Sequence, residues 1–393
     1  MTDPILTTQA LAMGAGALML AFVVSFAMTP ASAKLARRIG LLDRPQGEGG
    51  YKKQEVPIPY LGGVAIVSGL LVGCLMMMFI PSGTPGTLIQ SFPLVIVAAV
   101  ILGAVGLADD FKSLPRSLRL AVQVAAAAAA YAAGFQVSFT PWDALDLAMT
   151  IIWIVGITNA FNLLDNMDGL TSGLAGIAAL SFATLGVIGG MPLVTVAAAS
   201  LAGASFGFLA HNRHPAKIFM GDAGSNFVGF MLALIGARLR FDNLVEVTFL
   251  VPVIVLGIPI LDTTLVVVSR RLHGRPVFQG GRDHISHRLV HIGLSVPIAV
   301  GLLYWTGLCL GWLGIVVSRS DALVGWMLLG FVLAIGLFLG LLLLRVPVYK
   351  EQFEDVSDLR EAEQRGGDEF NSAVDNTAGE LTLDERAKSS GKA

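Results

Sequence analysis

The sequence predicts an all-α polytopic membrane protein: a bundle of about eleven transmembrane helices with an active-site cleft on its cytoplasmic face. Three observations carry that prediction. The 393-residue chain is 54% hydrophobic and only 14% charged, where a soluble domain carries roughly 25% charged residues. Its apolar residues gather into stretches long enough to cross a bilayer core. It holds 45 glycines, a residue that membrane helices tolerate better than soluble ones do.

Taken in order, the apolar stretches run approximately over 11–32, 60–80, 92–108, 119–138, 144–161, 170–189, 192–210, 224–240, 247–268, 295–317 and 323–345. Small residues dilute the seventh and eighth. Cys74 and Cys309 sit inside such stretches and read as small hydrophobes. The opening Met1-Thr2-Asp3-Pro4 has no basic region, so no cleavable signal peptide is expected.

Charge orients the bundle. Lys34, Arg37, Arg38, Arg44, Lys52 and Lys53 follow span one, and Lys112, Arg116 and Arg119 follow span three. Arg213 and Lys217 follow span seven; Arg270, Arg271, Arg275, Arg282 and Arg288 follow span nine. The opposite loops carry only Arg238, Arg240 and Arg319. The positive-inside rule therefore places the odd-numbered loops in the cytoplasm, the amino terminus outside and the carboxyl terminus inside. The location expected is the inner (plasma) membrane. From Lys350 onward the chain turns polar, with twelve acids and six bases. The expected division is a membrane domain over 1–348 and an acidic, disordered cytoplasmic tail over 349–393, with Val346–Arg365 as a candidate surface helix. The net charge of −2 says little about partners, and no nucleic-acid partner is expected.

Four polar clusters interrupt the apolar runs, and this topology puts all four on the cytoplasmic side. Asp109 and Asp110 close span three; adjacent carboxylates at a membrane edge need a cation or a base. Taken alone, they fit a capped helix end as well. Asn159, Asn162, Asp165 and Asp168 follow at helical spacing on one face, before a turn at Gly169. Their oxygens suit a hard cation such as Mg2+. In Gly221-Asp222-Ala223-Gly224-Ser225, small residues leave backbone N–H groups open to an anion. Asp222 offers a further metal oxygen there, and Ser225 a candidate N-cap. The fourth cluster, Arg282-Asp283-His284-Ile285-Ser286-His287-Arg288, suits a phosphate better than zinc, because two arginines would repel a dication. His284, His287 and His291 share a face if this stretch is helical. Asp262, inside span nine, is expected to orient Arg270 or a loop histidine. Lys52 and Lys53, near Asp43 and the turn-rich Pro57–Gly63 stretch, are candidates for a phosphate.

In this order the clusters resemble the polyprenyl-phosphate N-acetylhexosamine-1-phosphate transferase family, over roughly residues 40–300. The resembling motifs are the Asp109-Asp110 pair, the Asn159–Gly169 run, Gly221–Ser225 and the late histidine loop. The span count resembles the GlcNAc-type branch. The resemblance implies that a polyprenyl phosphate (undecaprenyl or decaprenyl) attacks a UDP-activated amino sugar, releasing UMP, for cell-envelope polysaccharide synthesis. It implies Mg2+, with Mn2+ as substitute, held by Asn162 and Asp222. Asp109 and Asp110 would position or deprotonate the lipid phosphate, and Asp168 would orient nucleotide or metal. His284, with Arg282 and Arg288, would bind phosphate or sugar. Lys52, Lys53, Asn159, Asp165, Gly224, Ser225 and His287 complete the candidate substrate contacts. Membrane lipid and a homodimer are the remaining partners considered. The chain departs from the family pattern at Gln54, Ser113, Asn166 and Ser286, which leaves the reaction class intact and the sugar open. Two other classes share some features. A Mg-dependent membrane prenyltransferase would use the aspartates without the Gly221–Ser225 turn. A secondary transporter would place its polar groups at mid-membrane depth.

Overall fold

The computed structural model describes residues 4–44, 56–79, 86–138, 140–239, 249–277 and 280–349. The helices are α1 (Pro4–Ile39), α2 (Gly62–Gly73), α3 (Gly86–Phe111), α4 (Arg116–Ala132), α5 (Asp143–Leu164), α6 (Leu170–Ile188) and α7 (Pro192–Asn212). They continue as α8 (Gly221–Arg238), α9 (Leu250–Val255), α10 (Gly257–Leu272), α11 (Ile285–His291), α12 (Val296–Val317) and α13 (Ala322–Leu344). Two short strands, β1 (Leu42–Asp43) and β2 (Ile58–Pro59), pair antiparallel with Leu42 opposite Pro59.

Among the described residues eight helical segments are long and apolar enough to cross a membrane: Thr8–Ile39, Gly62–Phe79, Ser91–Phe111, Asp143–Leu164, Leu170–Ile188, Pro192–Asn212, Val296–Val317 and Ala322–Leu344. The protein is thus an all-α, multi-pass membrane protein. Three of the eleven expected spans differ, each for a physical reason. The fourth becomes α4, which has 17 residues. It opens on Arg116 and Arg119 and buries one face at Gln123, Ala126, Ala127 and Ala130. The eighth becomes α8, 18 residues bounded by Asp222 and Arg238. The ninth is broken at Leu256, between Pro252 and Gly257, into α9 and α10. Helix α1 overruns its expected span and carries Lys34, Arg37 and Arg38 in its last turns.

Helices α6, α7 and α8 form the interior. Every residue of α8 from Ala223 to Ala237 is buried. Around this core, α1 and α2 lie against α7, α3 and α5 against α8, and α12 against α6. On the outermost helices, apolar side chains such as Trp305, Trp312, Met327 and Phe331 are exposed, as a lipid-facing surface requires. The chain divides into two units, Met1–Leu343 and Leu344–Ala393. Most of the second, including the expected acidic tail from Lys350 onward, lies outside the described residues; of the candidate helix only Val346–Tyr349 is described, and it is not helical.

Glycine lets α8 start where it does. A Cβ on Gly63 would lie 2.5 Å from the backbone nitrogen of Gly224, and one on Gly106 would strike the carbonyl oxygen of Asp222. Helices α2 and α3 thus touch α8 backbone to backbone, an approach only small residues permit. The strand pair adds a second tie. Tyr60 bridges Phe219, Phe219 N–H donates to the Pro59 carbonyl (2.9 Å), and Gly63 N–H donates to the Met220 carbonyl (3.0 Å). Gly63→Ala or Gly106→Ala forces the helices apart. We expect a loss of about 1–3 kcal/mol, read as a lower melting temperature in detergent, together with turnover at least roughly tenfold below wild type. A melting temperature equal to wild type in both variants would refute the close-contact account.

Candidate active site

Helices α3, α5 and α7 end, and α4, α6 and α8 begin, at one face of the bundle, and their polar ends meet there. Gly221 adopts φ +74°, a left-handed turn that glycine takes without strain. That turn starts α8 with its first N–H groups facing α3. Asp110 answers them: its carboxylate accepts from the N–H of Asp222 (3.0 Å) and of Ala223 (3.3 Å). The anion expected at this helix start is therefore a side chain of the protein itself, at the positive end of the helix dipole.

Asp222, one residue further, faces the cleft. Asn162 Nδ2 donates to its Oδ1 (2.9 Å) and to Ser225 Oγ (3.0 Å). Arg119 from α4 approaches the other Asp222 oxygen (3.4 Å) and makes a short ion pair with Asp109. Asp109 also accepts from Leu114 N–H (2.6 Å). Behind this group runs an amide chain. Asn159 donates to Gln123 (2.7 Å), Gln123 to Asn226 (3.3 Å), and Asn226 to the Asp222 carbonyl (2.7 Å). Asp109, Asp110, Asn162 and Asp222 thus come together as direct neighbours, with Asn159 behind them as a support.

Several expectations need correction. Ser225 is not an N-cap: it lies inside α8, fully buried, and donates to the Gly221 carbonyl (3.2 Å). Gly224 faces Gly63 of α2 rather than an open anion site. Helix α5 ends at Leu164, so Asp165 and Asp168 lie in the following turn and do not extend its Asn159–Asn162 face. Asp168 instead accepts from Ala216 N–H (3.1 Å) and contacts His214 Nδ1 (2.8 Å). Arg288 was expected at a phosphate. It is fully buried, and its guanidinium donates to the Asp283 carbonyl, Ser269 Oγ and the Leu343 carbonyl. Its donors hold the fold together. Lys52 and Lys53 lie outside the described residues.

The turn after α5 is tightly held. Gly169, at φ +76°, donates to Asn212 Oδ1 (3.1 Å), and its carbonyl accepts from Tyr304 Oη (2.6 Å). The histidine loop docks on this turn where Ser286 Oγ donates to Asn166 Oδ1 (2.7 Å). His284 and His287 stand with ring centroids 6.1 Å apart, and Arg282 is half-buried beside them. Burial, with His284 and Arg282 nearby, pushes His287 down to about 4, so its ring is neutral at pH 7.

Sequence reasoning missed Arg119, Gln123 and Asn226 as site residues. Arg119 sits ten residues after Asp109 at the head of the next helix; in sequence it reads as a topology signal and as one of three bases, with Lys112 and Arg116, able to pair with Asp109 and Asp110, and the structure makes that pair. Gln123 and Asn226 each lie four residues beyond a charged site residue, on the same helix face, which was the available clue.

The oxygens of Asp222 and Asp109, with Arg119 as the nearby base, form a hard donor set with excess negative charge; Asn162 presents its Nδ2 here, and a flip of its amide would add an oxygen. That set fits Mg2+, which takes one or two carboxylates and completes its shell with water and phosphate oxygens. Among the described residues no group of three or more His, Cys, Asp or Glu is placed to hold a metal ion.

Burial, reinforced by Asp222, Asp110 and Asp168, pushes the Asp165 carboxyl up to about 7. A carboxyl whose folded value lies above its unfolded one binds extra protons when folded. Its contribution to stability is therefore lost as pH rises from about 4 to about 7. Asp165→Asn should remove this slope: in metal-free buffer its melting temperature should exceed wild type at pH 8 and match it near pH 4. Parallel wild-type and variant curves would contradict the shift.

Comparison with known proteins adds the following. Residues 92–239 match the model of "Glycosyl transferase family 4". The chain is 30% identical over 353 residues to the "Probable undecaprenyl-phosphate N-acetylglucosaminyl 1-phosphate transferase" of Bacillus subtilis (strain 168), covering 86% of this chain and 94% of that one. It is 33% identical over 322 residues to the "Decaprenyl-phosphate N-acetylglucosaminephosphotransferase" of Mycobacterium tuberculosis (strain ATCC 25618 / H37Rv), covering 73% and 78%. It is also 30% identical over 328 residues to the "Phospho-N-acetylmuramoyl-pentapeptide-transferase" of Desulforudis audaxviator (strain MP104C), covering 75% and 95%.

Proposed function

The chain belongs to glycosyl transferase family 4, the polyprenyl-phosphate N-acetylhexosamine-1-phosphate transferases, and on that footing we propose that it transfers an N-acetylhexosamine 1-phosphate from a UDP-sugar to a polyprenyl phosphate. An oxygen of the lipid phosphate attacks the β-phosphorus of the donor. The bond from that phosphorus to the bridging oxygen breaks, and UMP leaves. The product is a polyprenyl diphosphate carrying the sugar, of use in building envelope polysaccharide. The observation that carries this reading is the meeting of Asp109, Asp110, Asn162 and Asp222 at one helix start. We place that site on the cytoplasmic side of the plasma membrane, with the amino terminus outside, because the basic residues gather on its side; α4, α8 and the α9–α10 pair, added to the eight long apolar helices, would make eleven crossings.

Phosphoryl transfer asks for charge neutralisation and alignment more than for covalent help. Asp222 and Asn162 are the residues that would hold Mg2+, and the ion supplies positive charge to the donor diphosphate when bound. Arg119 offsets the charge that remains on Asp109 and Asp222. The lipid phosphate has a second pKa of about 6 by analogy with phosphorylated side chains, so it is largely a dianion at pH 7. No proton then needs removing. Asp109, already tied to Arg119 and Leu114 N–H, orients the acceptor, and Asp110 fixes the start of α8.

The test is incubation of the purified chain with undecaprenyl phosphate, Mg2+ and several UDP-sugars, with UMP measured and the lipid product weighed by mass spectrometry. UMP and a diphosphate-linked sugar are expected; release of inorganic diphosphate, or substrate flux with no product, would overturn the reading. Asp222→Ala should lower the Mg2+-dependent rate by roughly 100-fold or more, and an unchanged rate would remove it from the metal site. Asp109→Asn should lower turnover equally at pH 6 and pH 8. A variant near normal at pH 8 but failing at pH 6 would make Asp109 a general base.

A further inference from the structure

Asp262 lies in the middle of α10 and is 1% exposed. An ionisable group so placed costs several kcal/mol unless its oxygens are satisfied. Both are satisfied by the histidine loop: Oδ2 meets His284 Nδ1 at 2.7 Å, and Oδ1 accepts from Ile285 N–H at 2.7 Å. The same face of α10, at positions 262, 269 and 270, grips the loop twice more. Ser269 Oγ accepts from Arg288 (2.7 Å), and Arg270 forms a two-pronged ion pair with Asp283 (2.7 and 2.8 Å). From the opposite side the loop is tied to the α5–α6 turn through Ser286 and Asn166.

The two nitrogens of an imidazole point to different sides of the ring. With Nδ1 turned to α10, Nε2 of His284 turns away from it. Nε2 has no hydrogen-bond partner among the described residues, yet it is not among their sealed, unpartnered side-chain atoms, which are the hydroxyls of Ser32, Thr171, Ser205 and Thr263. His284 is 3% exposed, and Nε2 is the edge of its ring left for a ligand. A carboxylate on Nδ1–H fixes the tautomer and orientation of a histidine, and Nε2 donates to an anion when the ring carries both protons.

We propose that Asp262 is a positioning residue of the transfer reaction: it aims His284 so that Nε2 meets a phosphate oxygen of the sugar-nucleotide donor. The proposal rests on the transferase reading above. Asp262→Asn keeps the size and the acceptor for Ile285 N–H but removes the charge. We expect kcat to fall roughly 10- to 100-fold, while KM for undecaprenyl phosphate stays within about twofold because the acceptor end of the site is untouched. His284→Ala should show a loss of similar size. The double variant should be no slower than His284→Ala alone, since Asp262 acts only through that ring.

The experiment measures UMP release by the full-length chain in detergent with UDP-GlcNAc, Mg2+ and undecaprenyl phosphate, with melting temperatures taken in parallel. Wild-type kcat in Asp262→Asn, or losses that multiply in the double variant, would overturn the proposal alone. The multiplying case covers a merely structural role, in which a fall in melting temperature would accompany the loss in both backgrounds. An inactive wild-type chain across all UDP-sugars would overturn the transferase reading and this proposal with it.

Discussion

The hydrogen bonds that Asp110 accepts from the start of α8 are the contact on which the site depends. A carboxylate at the end of one helix meets the free N–H groups at the start of another, so two charges of opposite sense that would be costly at a membrane edge satisfy each other. The contact works only because α8 can come close enough. Gly63 and Gly106 remove the side chains that would hold α2 and α3 away, and Gly221 turns the chain so that its N–H groups face inward. Once α8 is seated, Asp222 has one place to go, between Asn162 and Arg119.

A second consequence concerns charge. Asp109, Asp110, Asp165 and Asp222 crowd one end of the bundle, and Arg119 is the base in direct contact with Asp109 and Asp222. Such a set is under repulsion, which adds to burial in raising the Asp165 carboxyl. A cation relieves the repulsion, and so do the amide donors of Asn159, Asn162, Gln123 and Asn226, which stiffen the helices behind the carboxylates. The histidine loop is built on the opposite plan. Its charged groups are paired and buried: Arg270 with Asp283, Asp262 with His284, and Arg288 with carbonyls and a serine. That pairing holds the loop fixed against α10 and the turn after α5.

The polar residues of the site were legible wherever they broke an apolar run, because a carboxylate or amide at the end of a membrane helix has few structural explanations. Asp109, Asp110, Asn162 and Asp222 stood out on that ground and do lie together. Arg119 and Arg288 were misread for a common reason: an arginine near a helix end looks the same in sequence whether it sets topology, pairs with a carboxylate or ties up carbonyls. Asp165 and Asp168 are placed on the Asn159–Asn162 face by spacing and Ser225 at a helix start by its small neighbours, and the helix boundaries, at Leu164 and Gly221, overturn both.

The sequence by itself determined that this is a membrane bundle, since apolar length and scarcity of charge are properties of composition that no packing can change. It also determined which kinds of oxygen stand at the helix ends. The tertiary structure alone decided which helix ends meet, because that depends on glycine-to-glycine approach between segments more than a hundred residues apart, as for Gly106 and Asp222. It likewise decided which of the buried charges face one another and which face the cleft, since a side chain's partner is fixed by packing and not by its neighbours along the chain.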